Sequence, residues 1–293
     1  MPLLSGFEAF VRSDEPLAGH TWLQVGGAAQ YFAEPRHFDE LKALVERCCH
    51  EHLAVRILGG GSNVLVSDGG VHGMVVHLAA PAFCEIRVDG GTITAGGGAK
   101  LGHVISTSVR EGLGGLEALV GIPGTIGGAL HGNAGGRGGD IGQWTRRATV
   151  MTRTGQLIER QRGDLVFAYR HSSLDELVIL EATFELERDD PDELTKRMQK
   201  QWIIKKASQP LGSQSAGCIF KNPRGMSAGM LIDQAGLKGT RVGGAEVSQH
   251  HANFIVAERG ATTSDDILRL IELVRDRVAE RLGVELELEI EVW

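Results

Sequence analysis

Residues 121–135 read Gly-Ile-Pro-Gly-Thr-Ile-Gly-Gly-Ala-Leu-His-Gly-Asn-Ala-Gly, a density of glycine that predicts neither a helix nor a strand interior. Each glycine in such an element costs backbone entropy and adds no packing. The run suits a place where the main chain passes close to another group and offers it bare N–H donors, as it does to a phosphate or diphosphate. A second run, Leu58-Gly-Gly-Gly-Ser-Asn-Val-Leu-Val-Ser-Asp68, follows directly on the strand-like Val55-Arg-Ile-Leu58. Two separate cradles predict a large dinucleotide held by loops. The alternative is a pair of flexible surface loops, but such linkers are polar Gly/Ser mixtures, whereas these glycines are interleaved with Ile, Leu and Val.

A chain of 293 residues with 42% hydrophobic content can bury the cores of two or three domains. Its net charge of -7, from 30 Lys+Arg against 37 Asp+Glu, comes with no basic run, so a nucleic-acid partner is not expected. Cys48, Cys49, Cys84 and Cys218 show no metal-ligand spacing, and the adjacent pair reads as helix packing rather than a disulfide. His250 and His251 are adjacent and cannot both face one ligand on a strand, and no H-E-x-x-H occurs, so no metal site is expected. Residues 1–16 are mixed and carry acids, and no signal peptide or long apolar span is read. These features predict a cytoplasmic protein with no membrane partner.

The organisation is α+β. Apolar residues at 38, 41, 44, 45 and 48 mark a helix over 38–50, followed by short strands at 55–58, 64–66 and 74–76. Asp89-Gly-Gly91 between 84–88 and 92–95 reads as a hairpin, as does Thr154-Gly155 between 147–152 and 156–158. A helix over 101–110 ends at Gly112, and a long strand covers 177–186. Further helices are expected at 191–207, with Leu194, Met198 and Ile203 apolar, and at 226–235, with a strand at 252–257. Thr263-Ser-Asp-Asp266 resembles a capping box opening a helix that Gly283 closes. The strict alternation of 284–292 predicts a half-buried final strand. The expected division is 1–78, 79–190 and 191–293.

No G-x-G-x-x-G follows a strand and no G-x-x-x-x-G-K-[ST] occurs, so neither a Rossmann crossover nor a P-loop is supported. A diphosphate held by loops resembles the flavin-binding architecture of the vanillyl-alcohol-oxidase (PCMH) type.

More specific segments then join the glycine runs, in order along nearly the whole chain. They are Thr21-Trp-Leu-Gln-Val-Gly-Gly27, Tyr169-Arg-His-Ser172, Gln209-Pro210, Ser215-Ala-Gly-Cys-Ile-Phe-Lys-Asn-Pro223, Leu231-Ile-Asp-Gln-Ala-Gly-Leu-Lys-Gly239 and His251-Ala-Asn-Phe-Ile-Val256. Together they resemble the UDP-N-acetylenolpyruvoylglucosamine reductases, flavoenzymes of peptidoglycan precursor synthesis. The short passage after Arg170 resembles their type II form, without the inserted tyrosine-bearing loop.

The resemblance implies a two-domain FAD-binding module of the vanillyl-alcohol-oxidase type, made by 1–78 and 79–190, and a third α+β domain for substrate at 191–293. It implies noncovalent FAD, NADPH as reductant and UDP-N-acetylglucosamine enolpyruvate as substrate; a monomer is expected, although the sequence itself does not give the oligomeric state. It points to Gly59, Gly60, Gly61, Ser62, Asn63, Ile122, Gly127, Gly128 and Asn133 for FAD. It points to Lys221, Asn222, Gln234 and Lys238 for substrate. A covalent flavin link at His131 is not expected.

Three residues fall on the family's catalytic positions. Arg170 would grip the enolpyruvyl carboxylate, because a guanidinium is always charged and bidentate; by itself, Tyr-Arg-His-Ser reads as a surface loop. Glu289 is indistinguishable by pattern from Glu285, Glu287 and Glu291 on one face, and only the resemblance selects it. Like charges on one face raise the pKa of the least solvated member, so a protonated Glu289 would hydrogen-bond the same carboxylate. Cys218 stands where the family usually has the serine that protonates C2. An isolated buried cysteine is ordinarily a small hydrophobe. Here a thiol, ordinarily of pKa about 8.5, keeps a proton donor in place and adds a liability to alkylation and oxidation. Two rival readings are an oxygen-dependent flavin oxidase of the same fold, disfavoured by 215–223 and 231–239, and a non-catalytic sensor, disfavoured by Arg170 with Glu289.

Overall fold

The structure, a computed structural model, describes residues 5–136 and 138–293. Residues 1–4, at the head of the expected domain 1–78, and Arg137, inside the expected domain 79–190, lie outside the described residues. The chain divides into two compact units. One gathers the described residues up to Asp14 with Gln30–Gly60 and His72–Ile204; the other gathers Glu15–Ala29, Gly61–Val71 and Lys205–Trp293. These units cut the chain at points other than 78 and 190.

In the first unit, α1 (Phe38–His50) covers the residues its periodicity marks and buries Leu41, Leu44, Val45 and Cys48. They join a core with Met74, Val76, Phe83 and Val178. A four-stranded sheet runs in the order Val11–Pro16, Ala28–Ala33, Val71–His77, Val55–Leu58, the last pair parallel. A five-stranded sheet runs in the order Leu157–Gln161, Thr145–Met151, Val178–Glu185, Thr92–Gly96, Ile86–Asp89, antiparallel throughout. Both expected hairpins are there. The second core combines Ile93, Ala95, Val150 and Phe184 of this sheet with Val104 and Ile105 of α2 (Leu101–Arg110) and Ile126 and Leu130 of α3 (Ile126–His131). The glycine run at 121–135, expected to hold no helix, thus contains a short one, capped by Thr125 and anchored by its buried apolar residues. Along α4 (Pro191–Ser208), only Leu194 is buried. Ile203, expected on an apolar stripe, is 67% exposed.

In the second unit, α5 (Ala228–Gln234) and α6 (Ser264–Leu282) enclose an apolar core with Leu23, Leu65, Phe220, Leu286 and Ile290. The capping box is real: Thr263 and Asp266 each bond the other's backbone N–H, and Gly283 closes α6 in the left-handed region. Asp68, at the end of the first glycine run, adds its carboxylate, accepting from the N–H groups of Ser264 at 3.0 Å and Asp265 at 3.2 Å. A three-stranded antiparallel sheet comprises Arg241–Val242, Ala245–Val247 and Ile255–Ala257.

Two expected strands are shorter than their patterns. The strand at 252–257 begins only at Ile255, because Phe254 N–H turns back to the His251 carbonyl at 2.9 Å. Over 284–292 only Glu291–Val292 is a regular strand, paired in parallel with Val64–Leu65. The alternation does mark burial, with Leu286 and Ile290 inside, but the segment takes its hydrogen bonds from two neighbours in turn. Among the described residues, no helix is long and apolar enough to cross a membrane, and no group of three His, Cys, Asp or Glu side chains is arranged to hold a metal ion.

Candidate active site

In the second unit, residues 218–221 and 287–290 run side by side. Glu289 N–H donates to the Ile219 carbonyl at 2.8 Å, and Lys221 N–H donates to the Glu287 carbonyl at 2.8 Å, with Phe220 and Leu288 bridged between them. This ladder brings Cys218 and Glu289, distant in sequence, onto neighbouring extended segments. Both are half-buried, whereas Glu285, Glu287 and Glu291 are exposed. The distinction that alternation cannot make is therefore made by packing: Glu289 is the least solvated of the row. On its other side the Glu289 carbonyl accepts from Asn63 Nδ2 at 3.0 Å, and the Asn63 carbonyl accepts from Glu291 N–H at 3.0 Å.

The four residues expected at the substrate have partners of their own. Lys221 Nζ pairs with the exposed Glu287. Asn222 Oδ1 accepts from Ala228 N–H at 2.9 Å at the start of α5. Lys238 pairs with Asp233 at 2.7 Å, and Gln234 is exposed at the end of the same helix. Burial, with Lys238 close by, holds the His251 imidazole below its usual range, and His251 Nδ1 accepts from Asn253 N–H at 3.3 Å.

Arg170 belongs to the first unit, in the two-residue turn between Phe167–Ala168 and His171–Ser172. Its φ is +54°, a region that residues other than glycine and asparagine seldom occupy. Such strain costs of order 1–3 kcal/mol and persists only where the surroundings fix it. Here Arg170 Nη1 donates to the Gly135 carbonyl at 3.0 Å, and the guanidinium lies 5.4 Å from the Tyr169 ring centroid. Asn133 Nδ2 donates to the Ala168 carbonyl at 2.8 Å while its Oδ1 accepts from Gly142 N–H at 3.1 Å. The amide of Asn133, expected at FAD, is thus engaged in holding the turn that carries Arg170.

The two glycine runs differ in what they offer a cofactor. In the second, Ile122 N–H donates to Leu119, Gly127 N–H to Gly97 and Gly128 N–H to the Thr125 hydroxyl. Those donors are already used. In the first, the N–H groups of Gly60, Gly61, Ser62 and Asn63 make no hydrogen bond among the described residues. Gly60 must be glycine because a Cβ would lie 2.8 Å from Gly124 Cα, and Gly61 because one would lie 2.1 Å from the His20 carbonyl oxygen. Thr21, whose backbone Gly61 touches, has a buried hydroxyl with no hydrogen-bond partner among the described residues. A row of unused N–H donors and an unsatisfied hydroxyl fit the diphosphate and polar edges of a flavin dinucleotide. The backbone donors of residues 60–63 therefore fit FAD, whereas those of Ile122, Gly127 and Gly128 are taken within the protein.

Sequence reasoning did not single out Thr21, Asp68 or Asn253. Thr21 and Asn253 lie inside family-like segments, and a buried polar residue there is a signal, but burial is not visible in one sequence.

Comparison with known proteins agrees with this geometry. Residues 209–293 match the family model for the C-terminal domain of UDP-N-acetylenolpyruvoylglucosamine reductase, and residues 29–160 match a FAD-binding domain. UDP-N-acetylenolpyruvoylglucosamine reductase 2 of Symbiobacterium thermophilum is 44% identical over 285 residues, covering 97% of this chain and 92% of its own length. The reductase of Listeria innocua is 41% identical over 284 residues, covering 96% and 94%. The crystal structure of the Thermus caldophilus reductase superposes with a TM-score of 0.84 at 38% identity, covering 97% of this chain and all of that one. The α+β expectation and the FAD-binding module both hold, and the chain belongs to the UDP-N-acetylenolpyruvoylglucosamine reductase family, whose members are FAD-dependent oxidoreductases.

Proposed function

We propose that this protein reduces UDP-N-acetylglucosamine enolpyruvate to UDP-N-acetylmuramate with electrons from NADPH, a step of peptidoglycan precursor synthesis, and that Cys218 supplies the proton to C2. The observation that carries the reading is the ladder between 219–221 and 287–289, in which Glu289 N–H bonds the carbonyl of Ile219, the residue next to Cys218, in a chain of this family.

Noncovalently bound FAD would supply the hydride for C3, with NADPH as the reductant. The unused N–H donors of Gly60, Gly61, Ser62 and Asn63 and the hydroxyl of Thr21 are the groups that would hold it. An enol ether is electron-rich, so its carboxylate must act as an electron sink. Arg170 grips that carboxylate, with its planar guanidinium stabilising the charge that develops there. Glu289 hydrogen-bonds the same group. Cys218 Sγ–H delivers the proton to C2 once charge has built up on that carbon; a thiol is a far stronger acid than the alcohol usual at this position. Lys221, Asn222, Gln234 and Lys238 bind the UDP-sugar, and the ion pairs of Lys221 and Lys238 open to do so. The protein works as a cytoplasmic monomer, with 1–78 and 79–190 serving the cofactor and 191–293 the substrate.

The test is direct. The purified protein is reduced anaerobically by NADPH and then mixed with UDP-N-acetylglucosamine enolpyruvate. Return of the oxidised flavin spectrum with UDP-N-acetylmuramate formed is expected. A flavin that reoxidises only when air is admitted would refute the reductase reading in favour of an oxidase.

A further inference from the structure

Asn253 lies outside the machinery assigned above, yet three of its atoms bond the two residues that follow Cys218. Its Oδ1 accepts from Phe220 N–H at 3.0 Å, and its Nδ2 donates to the Phe220 carbonyl at 2.7 Å. Its backbone carbonyl accepts from Ile219 N–H at 2.8 Å. Asn253 is 2% exposed and Phe220 1% exposed, so neither end of this pair has water as an alternative. The side chain takes the place of a neighbouring strand for one residue. It does so where the chain has just turned, since Phe254 N–H returns to His251 and Ser248 Oγ accepts from the N–H groups of His250 and His251. On the opposite side, the Ile219 carbonyl accepts from Glu289 N–H. The Ile219–Phe220 segment that follows Cys218 is therefore fixed from both sides, and on one side the Phe220 peptide is held by a single carboxamide.

We infer that Asn253 is a positioning residue for proton delivery: its carboxamide sets the main chain at Phe220, and through it that of Ile219, the Cys218 thiol and the backbone of Glu289. This rests on the proposed role of Cys218 as proton donor. Only an amide serves both halves of the Phe220 peptide contact, because the pair needs a donor and an acceptor at once. Aspartate keeps the shape but loses the Nδ2 donor and sets an oxygen against the Phe220 carbonyl.

The two half-reactions separate this role from a merely structural one. In Asn253→Asp, reduction of the bound flavin by NADPH should proceed at the wild-type rate. Reoxidation by the enolpyruvyl substrate should slow roughly 10- to 100-fold, the range that a displacement of about 1 Å brings. The loss should appear in kcat rather than KM. Iodoacetamide labelling of Cys218, referenced by peptide mapping to the exposed Cys49, should also change in rate. Asn253→Ser, with a hydroxyl too short to make both bonds, serves if the aspartate variant does not fold, and the same split is expected. Wild-type reoxidation in a folded variant, or equal slowing of both half-reactions, would overturn the inference while leaving Cys218 untouched. Full turnover in Cys218→Ala would instead remove the proton-donor reading and this inference with it.

Discussion

Arg170 and Cys218 are presented by opposite kinds of backbone. Arg170 sits in a tight turn at φ +54°, held by Gly135, Tyr169 and a buried asparagine. Cys218 lies next to a ladder of main-chain hydrogen bonds whose positions need no left-handed residue beyond Gly217. Yet both depend on one buried amide that bonds a main-chain carbonyl and a main-chain N–H together: Asn133 for the first and Asn253 for the second. In the proposed role, a cation gripping a carboxylate tolerates local strain, because its long side chain sets its reach. A short thiol has no such latitude, and its main chain must be placed directly.

The comparison can be broken from either side. Cys218→Ala should have the largest effect, slowing substrate-driven reoxidation by about 10²- to 10⁴-fold, the usual share of a general acid, while Cys218→Ser stays active. Stopped-flow absorbance of the flavin reads both. Arg170→Lys comes next. It keeps the charge but loses the planar fork, and kcat/KM should fall by about 10²-fold in steady-state assays. Asn133→Ala leaves the Ala168 carbonyl and the Gly142 N–H unpaired. It should lower stability by about 1–3 kcal/mol in denaturant titration and weaken turnover through Arg170.

The smallest effect concerns His251, whose pKa burial depresses in the folded protein. As pH falls, the unfolded chain takes up the proton first. The stabilisation is therefore complete above about pH 6.5 and is lost as the pH falls through the lower folded value. Melting temperature followed from about pH 8 to about pH 5 should show that decline, and His251→Gln should flatten it.

Much of this was legible in the chain. The helix at Phe38–His50, the hairpin at Asp89-Gly-Gly91 and the capping box at Thr263 follow from local periodicity and turn chemistry, which one sequence carries. What local pattern misjudged involves partners far away. The tail from Val284 reads as a strand, but its hydrogen bonds go alternately to residues near Ile219 and near Asn63, so it is regular only at Glu291–Val292. The side-chain amides of Asn63 and Asn133 also hold the main chain at Glu289 and the Arg170 turn, long-range contacts that no local pattern announces. Glycine spacing tells where a backbone must come close. It does not tell whether the close neighbour is a ligand or another loop, as Gly60 against Gly124 shows.

The central claim is that a thiol at position 218 delivers the proton to C2 that completes the product. Its most direct measurement is an anaerobic single turnover of NADPH-reduced Cys218→Ala, Cys218→Ser and wild-type protein with UDP-N-acetylglucosamine enolpyruvate, following flavin absorbance and UDP-N-acetylmuramate together. Prompt reoxidation with product in the wild-type and serine proteins, and neither in the alanine protein, is the predicted result. Stoichiometric product from Cys218→Ala at the wild-type rate would contradict it.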